Sequence, residues 1–210
     1  MSLIYNKLGG ILDVPYNYLG NLDFVDPTTK IININSGSNI IKEKSIFDSP
    51  IDNLPEGLEE LNFSIGYFNK SIDNLPIGLI KLKLGSNFNK PIDNLPKGLK
   101  YLVLGDSFDH PIDNLPETLE YLQTGFNFNH SIDNIPNSIT QLYLCGLFNQ
   151  AIKKYPNHLE TLVFTFSFNK PLGLIPKSIK YLGLSSRFDH KLTLHGGIEK
   201  LKLGYDFTQS

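Results

Sequence analysis

Five aspartates recur along this chain at nearly fixed intervals: Asp52, Asp73, Asp93, Asp113 and Asp133. Carboxylates held in register could do two kinds of chemistry. A pair could share acid and base roles in cleaving a polysaccharide, and a group could bind calcium through its oxygens. A structural role competes with both, because each Asp-Asn pair precedes an apolar residue and a proline, where turn and capping residues belong. Like charges about 5 Å apart repel by only about 1 kcal/mol in water. A charge-assisted bond to a turn amide returns about 1.5–3 kcal/mol, so the column needs no metal to exist. A second polar column runs through Lys70, Lys90, His110, His130, Gln150, Lys170 and His190. His110 and His130 could share a zinc ion, yet no third ligand accompanies them at fixed spacing, and a solvated face explains the column. The single cysteine, Cys145, has no histidine beside it to activate a thiolate. The chain has no glycine-rich phosphate loop, Ser/His/Asp signature or paired-cysteine motif. These residues point to a non-catalytic protein with no cofactor and no metal; the carbohydrate-acting enzyme stands as the weakest alternative.

The columns exist because the chain repeats. Phe68, Phe88, Phe108, Phe128, Phe148, Phe168 and Phe188 fall 20 residues apart, with Phe47 and Phe207 flanking them at 21 and 19. A period of this length is the mark of a solenoid. Within the unit FNKPIDNLPKGLKYLVLGDS the apolar places are Phe88, Ile92, Leu95, Leu99, Leu102 and Leu104. These intervals do not follow a helix. A proline also follows the third apolar place (Pro55, Pro76, Pro96, Pro116, Pro136, Pro156, Pro176), fixing φ and extending the residue before it. Leu102-Val103-Leu104 reads as a short strand, ends inward and middle outward. One unit buries too little to be stable alone, so the repeats must fold together.

The run FNxPIDNLPxxLxxLxLGxxF resembles the FNIP repeat, a relative of the leucine-rich repeat abundant in social amoebae and giant viruses. Phe88-Asn89-Lys90-Pro91-Ile92 carries its opening almost literally. The resemblance covers residues 47–207. It implies an all-β, leucine-rich-repeat-like solenoid: a right-handed, curved coil with a parallel sheet on the concave face and a convex side of extended segments and short turns. It also implies a target-recognition role linked to ubiquitination, although residues 1–46 lack the amphipathic helical pattern of the F-box that often precedes such repeats.

The organisation expected is an N-terminal cap with a degenerate repeat (1–46), eight tandem units (47–207, the last degenerate) and a short tail (208–210). In the cap, Val14-Pro15, Leu19, Leu22 and Phe24 echo a unit, and Ile31–Ile34 is a strand candidate. The net charge of −2 argues against generic nucleic-acid binding. The opening MSLIYNKLGG resembles neither a signal peptide nor a membrane span, and one cysteine excludes a disulfide framework. Together these point to an intracellular, cytoplasmic protein.

Two further columns are candidates for function. The polar residue after each phenylalanine, in the pairs Phe68-Asn69, Phe88-Asn89, Phe108-Asp109, Phe128-Asn129, Phe148-Asn149 and Phe168-Asn169, is expected to form a structural ladder that satisfies backbone groups at the turn. The outward strand residues Tyr101, Val103, Tyr121, Tyr143, Val163 and Tyr181 form an expected patch, with Lys81, Lys83, Lys200 and Lys202 at its two ends. Aromatics inside a charged rim match the anatomy of a protein interface, so a protein partner is expected there. The alternative is that tyrosine and valine simply suit strands. A structural protein forming a homodimer through an open C-terminal sheet edge is the second functional reading.

Overall fold

Each unit traces one coil, and the coil around Phe88 shows how. Phe88 N–H donates to Gly85 O (3.1 Å), turning the chain off the preceding strand. The chain then runs extended behind the sheet to Pro96, whose carbonyl accepts from Leu99 N (3.0 Å) and closes the returning turn. Equivalent Pro-to-Leu or Pro-to-Ile bonds recur at Pro55, Pro76, Pro116, Pro136, Pro156 and Pro176. Proline suits this place because the turn uses its carbonyl and needs no N–H. Lys100 and Tyr101 N–H groups then both reach Ile80 O (2.9 and 3.1 Å), which launches the next strand in register.

The structure is a computed structural model that describes residues 4–6, 10–15, 17–34, 45–64 and 66–209. Its strands are β1 (Ile4–Asn6), β2 (Ile11–Val14), β3 (Ile31–Ile34), β4 (Glu60–Phe63), β5 (Lys81–Lys83), β6 (Tyr101–Val103), β7 (Tyr121–Gln123), β8 (Gln141–Leu144), β9 (Thr161–Phe164), β10 (Tyr181–Gly183) and β11 (Lys200–Lys202). They form one sheet in chain order. β1 pairs antiparallel with β2, and every later pair is parallel. There is no helix among the described residues. The architecture is the solenoid that the period implies, in the leucine-rich-repeat-like form that the resemblance implies. In the Phe88 unit the strand runs one residue earlier than its apolar pattern suggests, yet Leu102 and Leu104 both point inward and are buried.

Behind the sheet the phenylalanines form a spine. Successive rings from Phe47 to Phe207 stack at centroid separations of 6.0–6.4 Å. Neighbouring strands lie about 4.8 Å apart. Coils wider behind the sheet than within it bend the stack, with the sheet on the inner side. Each buried ring stabilises by about 1.5–3 kcal/mol through burial alone. Phe63 and Phe164 thicken the spine where leucine is usual, stacking on Phe68 and Phe168 at 4.2 and 3.8 Å.

The N-terminal register differs from the expected one. Leu19 is 75% exposed and Phe24 51% exposed, so neither belongs to the core. Tyr18 instead takes the phenylalanine place, stacking on Phe47 at 6.4 Å and 11°. Leu22, Val25, Thr29, Ile32 and Ile34 then fill the five places that follow, and all are buried. Tyr18 hides the unit because its hydroxyl makes it read as polar; that hydroxyl donates to Asn21 O (2.8 Å). Pro27, one residue late, hides it further, and the turn closes instead through Thr29 N to Asp26 O (2.9 Å). Tyr18 and Phe47 are 29 residues apart, and the extra length falls at 35–44, outside the described residues. Ile31–Ile34 is a strand, as its sequence suggests.

Candidate functional site

On a strand, alternate side chains face opposite sides, so each strand places two residues on the concave surface. The parallel register lines them up: Tyr101 sits beside Tyr121 and Val103 beside Gln123, while Gln123 sits beside Tyr143 and Tyr143 beside Val163. Three of the four expected tyrosines come together. Tyr101 and Tyr121 stack at 4.1 Å and 13°, and Tyr121 meets Tyr143 at 5.3 Å and 33°. Tyr121 OH donates to Gln123 Oε1 (3.0 Å). Burial within this cluster, helped by the Tyr101 hydroxyl, pushes the Tyr121 phenol well above its ordinary range.

Tyr181 stands apart, separated from Tyr143 by the β9 pair Thr161 and Val163, and carries Lys200 Nζ 4.8 Å over its ring. Val103 is only 8% exposed and Val163 is half-buried. They form the floor between taller side chains. At the N-terminal end the face is polar: Asn62 donates to Asn33 Oδ1 (3.0 Å) and Asn33 to Asp13 Oδ1 (2.9 Å). Lys81 is paired with Glu60 at 2.7 Å, which holds its ammonium pKa above the usual range.

Sequence reasoning missed a second group on the rim of this face. Phe126 and Phe166 follow β7 and β9 at a place held by Ser86, Asp106 and Ser186 in other coils. They are 44% and 46% exposed, their rings are 6.1 Å apart, and the Arg187 guanidinium lies 5.3 Å over Phe166. The available signal was the break in the repeat: a phenylalanine where the period calls for a small polar residue.

The columns that suggested chemistry are engaged in bonds between coils. Asp52, Asp73, Asp93 and Asp113 each accept from the Asn amide of the next coil, at 2.9–3.0 Å from Asn74, Asn94, Asn114 and Asn134. Asp133 accepts from Lys153 N (2.9 Å). Bonds from Ser71 and Asn94 hold the Asp73 carboxyl below its ordinary range. Acid–base catalysis wants a carboxyl raised toward neutrality, and this shift has the opposite sign.

His110 and His190 turn to backbone carbonyls of the previous coil, each at 3.3 Å, while His130 Nε2 meets Asp109 at 3.0 Å. No group of three or more His, Cys, Asp or Glu among the described residues is placed to hold a metal ion. Burial pushes the Cys145 thiol up, away from a reactive thiolate.

The Asn column bonds between coils. Asn69 Oδ1 accepts from Asn89 N (2.9 Å), Asn89 from Asp109 N (3.0 Å), Asn129 from Asn149 N (2.9 Å) and Asn149 from Asn169 N (2.9 Å). Asn169 and Asp189 continue the ladder to Asp189 N and Thr208 N (3.2 and 3.0 Å). The acceptor is thus the side chain of one coil and the donor the backbone of the next.

Among the described residues β11 pairs with β10 alone. All three residues of β11 are exposed, Leu201 among them, and Leu203 and Tyr205 beyond the strand are exposed too. Phe207 does not fold across this edge; it continues the spine on Phe188 at 6.3 Å.

Residues 68–105, 88–125 and 108–146 match the FNIP Repeat family. Among solved structures the chain is similar to CroV588, a giant-virus protein whose crystal structure is described as a novel circular LRR protein structure. The two share 28% identity with a TM-score of 0.69, over 100% of this chain and 39% of that one, so this chain spans about two fifths of that neighbour's length. Comparison with curated protein sequences gives no match. No helix among the described residues is long and apolar enough to cross a membrane.

Proposed function

We propose that this chain, whose residues 68–146 match the FNIP Repeat family and whose fold is a leucine-rich-repeat-like solenoid, is a non-catalytic scaffold that binds a protein partner on its concave sheet. The observation that carries this reading is the contiguous Tyr101–Tyr121–Tyr143 cluster. Interfaces concentrate their energy in aromatic anchors ringed by polar residues, and solenoids present a concave surface of this kind to their partners. Tyr181, Val103 and Val163 complete the surface as a second anchor and its floor. In the circular neighbour the same fold extends over a longer chain; here the family link to target recognition in ubiquitination is the pathway we infer for the partner.

The test is affinity capture from lysate with mass spectrometry, comparing the wild-type chain with a variant carrying serine at positions 101, 121, 143 and 181. A partner held by wild type and lost by the variant supports the concave face, and a ubiquitin-ligase adaptor among such partners supports the pathway. Identical captures from both refute the concave face as the binding surface. The exposed strand β11 favours a second reading, in which copies of the chain pair through their C-terminal coils. A monomeric mass by light scattering at high concentration would remove it.

A further inference from the structure

The concave face is not uniform, and its C-terminal third has a distinct chemistry. Along the column of Val103, Gln123, Tyr143 and Val163, β10 supplies Gly183. A Cβ there would lie 3.2 and 3.3 Å from the two Val163 methyls and 3.6 Å from the Tyr181 hydroxyl, so the buried glycine forms a low floor that Val163 and Tyr181 crowd from the sides. Gly183 lines a groove of ≈ 430 Å³, whose walls include Val163, Tyr181, Ser186, Lys202 and Tyr205.

Two cations stand at it, and a third follows the lining Ser186 in sequence. Lys202 lines the groove, Lys200 lies over Tyr181, and Arg187 lies over Phe166. None of the three makes an ion pair among the described residues. Asp206, close in sequence, pairs with none of them and uses its backbone N–H on Ser186 O (3.2 Å). This positive end belongs to a chain whose net charge is −2.

We propose that this groove is the anchor site for an extended, acidic segment of the partner, with one apolar side chain seated in the groove above Gly183 and carboxylates on Lys200 and Lys202. The proposal rests on the concave face being the partner surface. From Tyr143 on β8 to Lys202 on β11 is three strand spacings, about 14 Å, which an extended chain covers in about four residues at about 3.3 Å each. The segment therefore carries its apolar anchor and its carboxylates within about four to five residues. The carboxylates approach cations that no resident partner neutralises, which favours an acidic ligand over a basic one and speeds its encounter.

The test is a fluorescence-anisotropy series with the whole chain. The probe is a fluorescein-labelled nonapeptide holding one central leucine between glutamates, and the control has lysines in their place. The acidic probe binds at least tenfold more tightly than the control, and its affinity falls as salt rises. Gly183→Val raises the floor of the groove and weakens binding at least tenfold. Because that side chain presses on Val163, the exposed pair Lys200→Glu with Lys202→Glu serves as the second variant, and it reverses the preference toward the lysine peptide. Equal binding of the two peptides to wild type, no binding of either, or an unchanged preference in the charge-reversed variant overturns the acidic class. If a captured partner needs the tyrosines but engages the face with a basic or neutral segment, this proposal fails while the concave-face reading stands. If the tyrosine variant keeps every partner, both fail.

Discussion

Two glycines of one coil should respond oppositely to the same substitution. Gly105 follows β6, and a Cβ built there would lie 1.8 Å from Gly85 O and 2.7 Å from Gly85 C. Its φ is not positive, so alanine is conformationally acceptable and the effect is purely one of space. An ordinary contact needs about 3.2–3.4 Å, so the coils must separate locally by about 1.5 Å. Two inter-coil bonds flank the contact: Leu84 N to Val103 O and Ser107 N to Ser86 O, each 2.8 Å. Stretching both forfeits about 1 kcal/mol apiece, and overpacking adds about 1–3 kcal/mol. Gly105→Ala should therefore cost about 3–5 kcal/mol.

Gly98, in the Pro96–Leu99 turn, has only Ile77 O near a built Cβ, at 3.8 Å. Its φ is also not positive. Gly98→Ala should be neutral or stabilise by up to about 1 kcal/mol through the unfolded chain. Urea unfolding followed by circular dichroism reads both, and the repeat array calls for the midpoint at several wavelengths as a check on cooperativity. Equal midpoints for the two variants, or a Gly105→Ala loss under about 0.5 kcal/mol, would refute the close backbone stacking from which the magnitude comes.

Two further expectations concern polar groups. Asn89→Ala removes the acceptor for Asp109 N and should cost about 1 kcal/mol, whereas Asn89→Asp, which keeps an acceptor as Asp48 does for Asn69 N, should cost far less; equal losses in urea unfolding would contradict the ladder. Tyr155 is buried, its hydroxyl donates to Leu172 O (3.0 Å), and burial pushes its phenol pKa above the ordinary value of 10.0. A pKa raised by folding stabilises fully below the unfolded value and is lost as pH rises toward the folded one, so stability should decline above about pH 10. Tyr155→Phe should lose about 1 kcal/mol at neutral pH and show a shallower alkaline decline in thermal unfolding.

The fold was written in the sequence because a solenoid is nearly one-dimensional. The interval between Phe88 and Phe108 fixes which residues face inward, and Pro96 fixes where the chain turns; neither depends on distant contacts. The hidden unit at Tyr18 shows the limit of that reading, since a core tyrosine is recognisable only once its ring is seen on Phe47. The concave columns were likewise legible from alternation along each strand. What sequence spacing could not supply is the relation between coils. That Asn89 serves the next coil's amide rather than its own turn, that Tyr181 stands apart from Tyr143, and that Gly105 touches Gly85 all depend on the rise and curvature of the stack. Those follow from how phenylalanine rings 6.0–6.4 Å apart bend a sheet whose strands sit closer. The groove at Gly183 is likewise a product of packing: a glycine in a strand is unremarkable until its neighbours are Val163, Tyr181 and Lys202.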